Sequence, residues 1–427
     1  MSILQDLKDR GLVQQTSDDA GLEKHLTENQ VSLYCGFDPT ADSLHIGHLV
    51  PMLMLKRFQQ AGHRPIALIG GGTGMIGDPS GRSDERNLND AATVERFSQA
   101  IQKQLANILN FDEGDNAAKA VNNGEWLGAM SIIDFLRDIG KHFGVNYMLA
   151  KDSVESRLAN GISFTEFTYM ILQSLDYLRL YEKENVTLQI GGSDQWGNIT
   201  AGMELIRRTH AGNNEEDQDK DKAFALTVPL ITKADGTKFG KTAGGAVWLS
   251  PERTTPYEFY QFWFNTDDRD VIKFMKYFTF MSLEEIASFE ESVEKEPEKR
   301  LAQTKLAEEM TTLVHGKEAL DQAIKISAAL FSGEIATLNG AEIEQGFKDV
   351  PSHTAADEDK SLVDMLVEAG ISPSKRQARE DITNGAIRIN GEKAEDVSRV
   401  LTQTDRIDGK FIIIRRGKKK YTLLKFA

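Results

Sequence analysis

Four short stretches carry residue types and spacings that could do chemistry. His45-Ile46-Gly47-His48 stands where a helix should begin, just after an apolar strand. Two histidines at i and i+3 share a helical face, and that spacing would suit a metal. Only six other histidines exist and none forms a partner cluster with these, which argues against a metal. At a helix N-terminus, imidazole donors and free backbone N–H groups converge instead on an anion. Gly47 lets a flat ring lie close to the helix, so phosphate plus a purine is the economical ligand. Gly72-Thr-Gly74-Met-Ile-Gly77 has dinucleotide-fingerprint spacing, but that motif needs a helix opening at its third glycine. Asp78-Pro79-Ser80-Gly81 follows, which reads as a loop and removes the nicotinamide or flavin reading. Gly236-Thr-Lys238-Phe-Gly240-Lys241-Thr242 resembles a P-loop, yet only three residues separate its glycines and AGGAVW behind it is a poor helix. It remains a lysine-rich turn, either exposed surface or an anion contact. In FTEFTYMILQSLDYLRL, Tyr169, Gln173 and Asp176 fall at i, i+4 and i+7, a polar stripe on an apolar helix. Alone it would be a solvated face. Beside Tyr34 and Asp78, each at a strand end, it can line a pocket with a cationic and a phenolic end.

These groups need a scaffold, and the flanking pattern supplies one. VSLYCGF (31–37) reads as a buried strand, and DPTADSLHIGHLVPMLMLKRFQQAG as a loop running into a helix that ends near Gly62. RPIALIG is a second strand entering the glycine-rich turn. Helical patterning covers 91–110, 126–149 and 165–180. VTLQIGG (186–192) is a third strand, followed by an amphipathic helix at 197–209. Strands alternating with helices predict an α/β fold with a doubly wound parallel sheet, whose ligands lie at the carboxyl ends of the strands. From Pro256 to about Phe331 the pattern is helical. Residues 346–360, GFKDVPSHTAADEDK, have the polar composition of a linker. Beyond it, SLVDMLVEAGI and SKRQAREDITNG read as short helices, and AIRING, FIIIRR and YTLLKF as strands.

Length and charge bound the rest. At 427 residues, 40% hydrophobic, the chain can build two or three cores. No apolar run approaches the ~18 residues that would span a bilayer, and MSILQDLKDRGL is unlike a secretory signal. Cys35 is the single cysteine, which excludes an internal disulfide and points to a reducing cytoplasm. Net charge is −15, but Ser361–Ala427 holds 14 Lys/Arg against 9 Asp/Glu, so this end is +5 and the remainder −20. A polyanion would be gripped locally by that end rather than coated by the whole chain.

HIGH after the first strand of a doubly wound sheet, with KFGKT beyond the last strand, resembles the two signatures of class I aminoacyl-tRNA synthetases. The second is often written KMSKS; here phenylalanine and glycine replace methionine and the first serine. Within that class YCGFDPTADSLHIGH, GGGTGMIGDPSGR, FTYMILQSLD, LQIGGSDQWGN and KFGKT, ending in a basic module, look most like the bacterial tyrosyl branch. The resemblance covers nearly the whole chain. It implies a Rossmann-like catalytic domain at 1–245 with a dimer-interface insertion around 110–160, an α-helical domain at 246–345, a linker at 346–360, and at 361–427 an RNA-binding module of the kind first described in a ribosomal small-subunit protein.

The same resemblance implies activation of L-tyrosine by ATP, with Mg2+ accompanying the nucleotide, and transfer to tRNA(Tyr) by a homodimer that needs no membrane. Tyr169, Gln173 and Asp78 would hold the substrate ammonium, Tyr34 and Asp176 the phenol, and Gln189 and Gln195 would support that shell. Cys35, Gly36, Gly192 and Asp194 would meet the ribose, Gly47 the adenine, and Asp38, Thr40, His45 and His48 the phosphates and ribose. Thr40, His45, His48, Lys238 and Lys241 would stabilise the transition state, with Arg82 and Arg86 as helpers. Lys375, Arg376, Arg379, Arg388, Arg415, Arg416, Lys418, Lys419 and Lys420 would grip tRNA, or else serve only solubility. The alternative is a catalytically idle, RNA-binding relative of the synthetases, against which the intact HIGH and KFGKT argue.

Overall fold

The computed structural model describes residues 1–427 except 81–87, 113, 152–153, 156, 158–160, 211–221, 238, 243–244, 418–419 and 427, and except the side chains of 241 and 242. Two compact units form: Met1–Arg253 with Thr266–Leu306, and Thr254–Asn265 with Ala307–Ala427.

The first unit is organised by β1 (Gln15–Thr16), β2 (Ser32–Phe37), β3 (Arg64–Ile69), β4 (Lys119–Asn122), β5 (Val186–Gly192) and β6 (Phe224–Val228), in the order β1-β6-β5-β2-β3-β4. Strands β2 to β6 run parallel and β1 closes one edge antiparallel to β6. Parallel strands are covered on both faces, and Leu33, Phe37, Ile66, Leu188 and Ile190 are accordingly buried. Helices α1 (Leu49–Gln60), α2 (Ala91–Ala106), α3 (Phe164–Glu184) and α4 (Trp196–His210) supply cover. The Ser163 hydroxyl accepts the Glu166 N–H to start α3, and Asn185, at φ 53°, ends it. Strand order reverses at β2, which has β3 on one side and β5 on the other. That reversal opens a crevice at the carboxyl ends of β2 and β5. The expected doubly wound sheet is present.

Three expectations change. Residues 126–149 are not one helix but short pieces: Gly124–Leu127, Ile132–Asp134, a π-turn at Phe135–Ile139, a 3-10 turn at Gly140–His142, and Val145–Leu149. Gly128, Gly140 and Gly144 interrupt the periodic run, each costing helix stability. The helical stretch after Pro256 is also not one domain. Helix Asp268–Phe278 belongs to the first unit, where buried Arg57 donates to the Lys276 and Thr279 carbonyls and Arg10 to that of Met281. Such carbonyls beyond a helix end need donors, and a guanidinium supplies several.

Residues 346–360, finally, include a strand, Ser352–Ala355, which pairs in parallel with Lys420–Phe426 at the edge of a five-stranded sheet. An edge strand with only Ala355 buried needs no apolar alternation, so its composition mimics a linker. Phe411, Ile413 and Leu423 of that sheet share one apolar cluster with Ile326 and Ala329 of helix Lys317–Ser332 and with Ile343 and Phe347. Helices and sheet are thus one body within the second unit. Phe347→Ala should lower unfolding free energy by about 3–5 kcal/mol in urea titration of the whole protein. A loss under about 1 kcal/mol would mean that no shared core exists there.

Candidate active site

A cavity of about 530 Å³ lies at the crevice where strand order reverses. Its walls come from the ends of β2 (Tyr34, Cys35, Gly36) and β5 (Gln189, Gly192), from the loops behind them (Asp38, Thr40, Asp194, Gln195), from the HIGH turn and from α3. Tyr169, Gln173 and Asp176 all face it from α3, and Asp78 joins from the glycine-rich turn. Every described residue expected at tyrosine or ATP therefore borders one space. Arg82, Arg86, Lys238 and the Lys241 side chain lie outside the described residues.

The closed end is built around Asp176, which is 1% exposed. A carboxylate so buried must find donors. Trp126 Nε1 donates to Oδ1 at 2.7 Å and Asn123 Nδ2 to Oδ2 at 2.9 Å. Burial pushes the Asp176 carboxyl up to about 7, against the pull of those two donors. Tyr34 is fully buried and its hydroxyl has no hydrogen-bond partner among the described residues; burial, then the Asp176 charge, holds that phenol well above its ordinary range. Asn123 and Trp126 escaped sequence reasoning. The signal was available, since Asn122-Asn123-Gly124-Glu125-Trp126 follows β4 and strand ends are where ligands collect in this architecture, but β4 is only four residues long.

A chain of polar contacts leads from this end to the next. Asn123 Nδ2 also donates to the Thr73 hydroxyl at 3.0 Å, and that hydroxyl donates to Asp38 at 2.7 Å. Asp38 takes the Tyr169 hydroxyl as well, at 2.8 Å. Burial first, and the Asp38 and Asp78 charges next, raise the Tyr169 phenol, so it stays a donor. Gln195 donates to Asp78 at 2.7 Å, while Asn198 donates to Gln173 at 3.0 Å and to Gln195 at 3.2 Å. The Asp194 carboxyl is raised by burial and by Asp78. Among the described lining residues four are carboxylates and none is lysine or arginine, a field that favours a bound cation such as an ammonium.

The HIGH turn differs from expectation in one respect. His45 is extended, Ile46–His48 make a 3-10 turn, and α1 starts at Leu49. The backbone N–H groups are taken: Gly47 donates to His45 Nδ1, His45 to His48 Nδ1, His48 to the His45 carbonyl, and Ile46 to the Val247 carbonyl. They cannot hold the anion predicted for them. Each Nδ1 accepts a backbone N–H, which places the ring proton on Nε2. The glycine-rich turn behaves as the sequence predicts. Thr73–Met75 form a 3-10 turn, Gly77 bends at φ 88°, and no helix opens there. Burial pushes the Cys35 thiol up to about 12, which disfavours the thiolate.

In the second unit the basic residues separate into two kinds. Lys375 pairs with Asp364, Arg376 with Glu380, and Arg416 with Asp381 and the Ile371 carbonyl. Arg388 and Arg415 instead stand opposite each other on antiparallel strands, and Arg388 also faces Lys393. Like charges in that relation repel. Arg388 donates to the Gly391 carbonyl and Arg415 to the Tyr421 hydroxyl. Arg379 and Lys420 are exposed; Lys418 and Lys419 lie outside the described residues.

Comparison with known proteins fits this geometry. Residues 26–332 match the family model described as tRNA synthetases class I (W and Y), and 342–424 that of a tyrosine–tRNA ligase SYY-like C-terminal domain. The chain is 65% identical over 426 residues to tyrosine–tRNA ligase 1 of Bacillus cereus and 62% over 427 residues to tyrosine–tRNA ligase of Geobacillus stearothermophilus, covering 100% of both chains in each case. A C-terminally truncated mitochondrial tyrosyl-tRNA synthetase of Aspergillus nidulans superposes with a TM-score of 0.69 at 32% identity, over 77% of this chain and 94% of that one. A tyrosyl-tRNA synthetase of Archaeoglobus fulgidus, at 15% identity and a TM-score of 0.56 over 75% of this chain and 99% of its own, shares the fold. With full-length identity of this order joined to the HIGH turn and a cavity at the reversal of the sheet, the chain belongs to the class I tRNA synthetases, in the tyrosine–tRNA ligase family.

Proposed function

We propose that this chain activates L-tyrosine with ATP, releasing pyrophosphate, and then esterifies the tyrosyl group to the 3′ end of tRNA(Tyr). The observation that carries the tyrosine assignment is the Tyr34 hydroxyl, buried without a partner among the described residues in a cavity that also holds Asp176. A phenol there accepts from Tyr34 and donates to Asp176. Phenylalanine would leave the Tyr34 hydroxyl dry and Asp176 with only its Asn123 and Trp126 donors, a form of rejection for which tyrosyl-tRNA synthetases are themselves the standard example. The substrate ammonium goes to Tyr169, Gln173 and Asp78, where carboxylates gather, and Gln189 and Gln195 steady that shell.

ATP, as its magnesium complex, takes the open end. Its ribose meets Cys35, Gly36, Gly192 and Asp194, with hydroxyl donors relieving the raised Asp194 carboxyl. The adenine lies on Gly47. The tyrosine carboxylate attacks the α-phosphorus, the bond to pyrophosphate breaks, and no protein nucleophile takes part. Catalysis is then charge stabilisation on a leaving group, best done by donors fixed beforehand. His45 and His48 offer Nε2–H groups, Thr40 its hydroxyl, and Lys238 and Lys241 their charge, with Arg82 and Arg86 assisting. A terminal ribose hydroxyl of tRNA then attacks the adenylate carbonyl and AMP leaves.

The remaining assignments follow the same reading. The facing pair Arg388 and Arg415 suits a polyanion, while the neighbouring Lys393 pairs with Glu395, and we assign the two arginines with Arg379 and Lys420 to the tRNA contact. Ile132, Ile133, Leu136, Val145 and Phe164 are each more than half exposed, an apolar surface that monomers avoid, and we assign it to a homodimer contact. A reducing cytoplasm, where tRNA is charged, is the expected setting.

The assay is tyrosine-dependent exchange of pyrophosphate into ATP. Asp176→Ala should weaken tyrosine binding by at least about tenfold while leaving the ATP dissociation constant within about twofold. Equal losses for both substrates would refute the pocket assignment. The Asp176 carboxyl, raised toward 7 chiefly by burial, accepts the substrate phenol far more strongly when ionised. Tyrosine affinity should therefore strengthen as pH rises through about 7 and flatten above, and Asp176→Asn should abolish that dependence. Equilibrium dialysis of labelled tyrosine between pH 5.5 and 8.5 reads it, and an unchanged slope in the Asn variant would assign the titration elsewhere.

A further inference from the structure

The imidazole of His45 is held first by its own turn. The Gly47 N–H donates to its Nδ1 at 3.1 Å, and a Cβ on Gly47 would stand 2.9 Å from its Cε1, so the ring lies against the turn it caps. The His48 ring follows at 4.0 Å between centroids, tilted by 35°. A further aromatic neighbour comes from far along the chain: Trp248 meets the imidazole edge to face at 6.0 Å and 67°.

Backbone register puts Trp248 there. His45 and Trp248 form an antiparallel bridge, flanked by hydrogen bonds from the Ile46 N–H to the Val247 carbonyl and from the Leu249 N–H to the Leu44 carbonyl. Bonds placed in this way mark a non-hydrogen-bonded pair, in which the opposing side chains share a face and stand closest. Position 248 therefore faces His45. The bridge is pinned on both strands, since Ser250 N–H donates to the Ser43 hydroxyl at 3.1 Å, while Gln104 of α2 accepts the Leu44 N–H at 2.8 Å and donates to Ser43 at 2.9 Å. Trp248 is held in turn by Arg253, whose guanidinium lies 4.4 Å from the indole centroid and pairs with Asp42 at 2.5 Å. Asp42 and Arg253 are both more than a third exposed, so this pair adds little stability of its own. Its effect is local: it joins the loop before HIGH to the indole that faces HIGH.

We infer that Trp248 is a positioning residue that sets the orientation of the His45 imidazole toward the departing pyrophosphate. This deepens the proposed function and rests on its placing His45 at the phosphates. Trp248 is not among the described residues that border the cavity, so it acts through His45 rather than on a substrate. One hydrogen bond at Nδ1 is a single hinge, and directional ring contacts limit the rotation that the hinge allows. A donor aimed before charge develops costs no reorganisation during the reaction. Loss of the indole therefore acts on the chemical step and spares the pocket of Tyr34 and Asp176.

The experiment is a double-mutant cycle in the full-length chain, read by tyrosine-dependent pyrophosphate exchange with thermal unfolding alongside. Trp248→Leu should lower kcat about tenfold, as small misplacements of a catalytic group do, and leave KM for tyrosine within about twofold. Trp248→Phe, which keeps an aromatic edge, should lose only about threefold. In a His45→Ala background both losses should shrink below about twofold, because the group that Trp248 orients is gone. The inference is overturned if Trp248→Leu keeps its kcat, if KM for tyrosine rises in step with the loss, or if the loss is as large without His45 as with it. Should the Leu variant fail to fold, the Phe variant answers to the same three criteria. An unaltered chain that exchanges no pyrophosphate with tyrosine overturns the functional reading and this inference together. An active unaltered chain with an equally active Leu variant overturns this inference alone.

Discussion

A carboxylate 1% exposed at the closed end of a cavity sets conditions on everything around it. Ionised Asp176 is costly unless donors surround it, and the chain provides Trp126 and Asn123 from just beyond β4. Asn123 must then be fixed itself, which it is by accepting the Gly72 N–H and donating to Thr73. Thr73 hands the network on to Asp38 and so to Tyr169. Four segments far apart in sequence are locked into one wall because one charge is held away from water. The compensation is incomplete, in keeping with a carboxyl raised to about 7, and the substrate hydroxyl proposed for this site would add the missing donor.

The sheet makes that wall possible. Because order reverses at β2, the ends of β2 and β5 lie side by side and their loops splay apart, leaving space for two substrates rather than one. The HIGH turn and the segment ending in Leu249 are stitched together across the open side by the Ile46–Val247 and Leu249–Leu44 hydrogen bonds. The backbone N–H groups of this turn are therefore already taken within the protein.

Local chemistry was legible in the sequence; long-range accommodation was not. The polar stripe Tyr169, Gln173, Asp176 follows from helical periodicity alone and the strand carrying Tyr34 from an apolar run, whereas Asp78 lies in the glycine-rich turn well beyond β3 and not at a strand end as expected. Asn123 and Trp126 were missed because their importance comes from a carboxylate 50 or more residues away and the strand before them is short. The segment 126–149 misled because apolar spacing survives its glycines, although the backbone does not follow it. The edge strand at Ser352–Ala355 misled in the opposite direction, since pairing on one side of a sheet leaves little mark on composition. Free N–H groups were expected at HIGH because helix starts usually offer them; here histidine side chains reach back and take them, a detail set by rotamers rather than by residue type.

The account turns on Asp176 as a buried carboxyl that awaits a phenol, and its titration can be observed directly. Carbon-13 labelling of aspartate, with the Asp176 signal assigned through Asp176→Asn, allows the midpoint to be followed by NMR in the free protein and with saturating tyrosine or phenylalanine. The midpoint should lie near 7 in the free chain, fall when tyrosine binds, and stay in place with phenylalanine. A carboxyl that titrates in the ordinary aspartate range in the free protein, or that responds equally to both amino acids, would contradict the account.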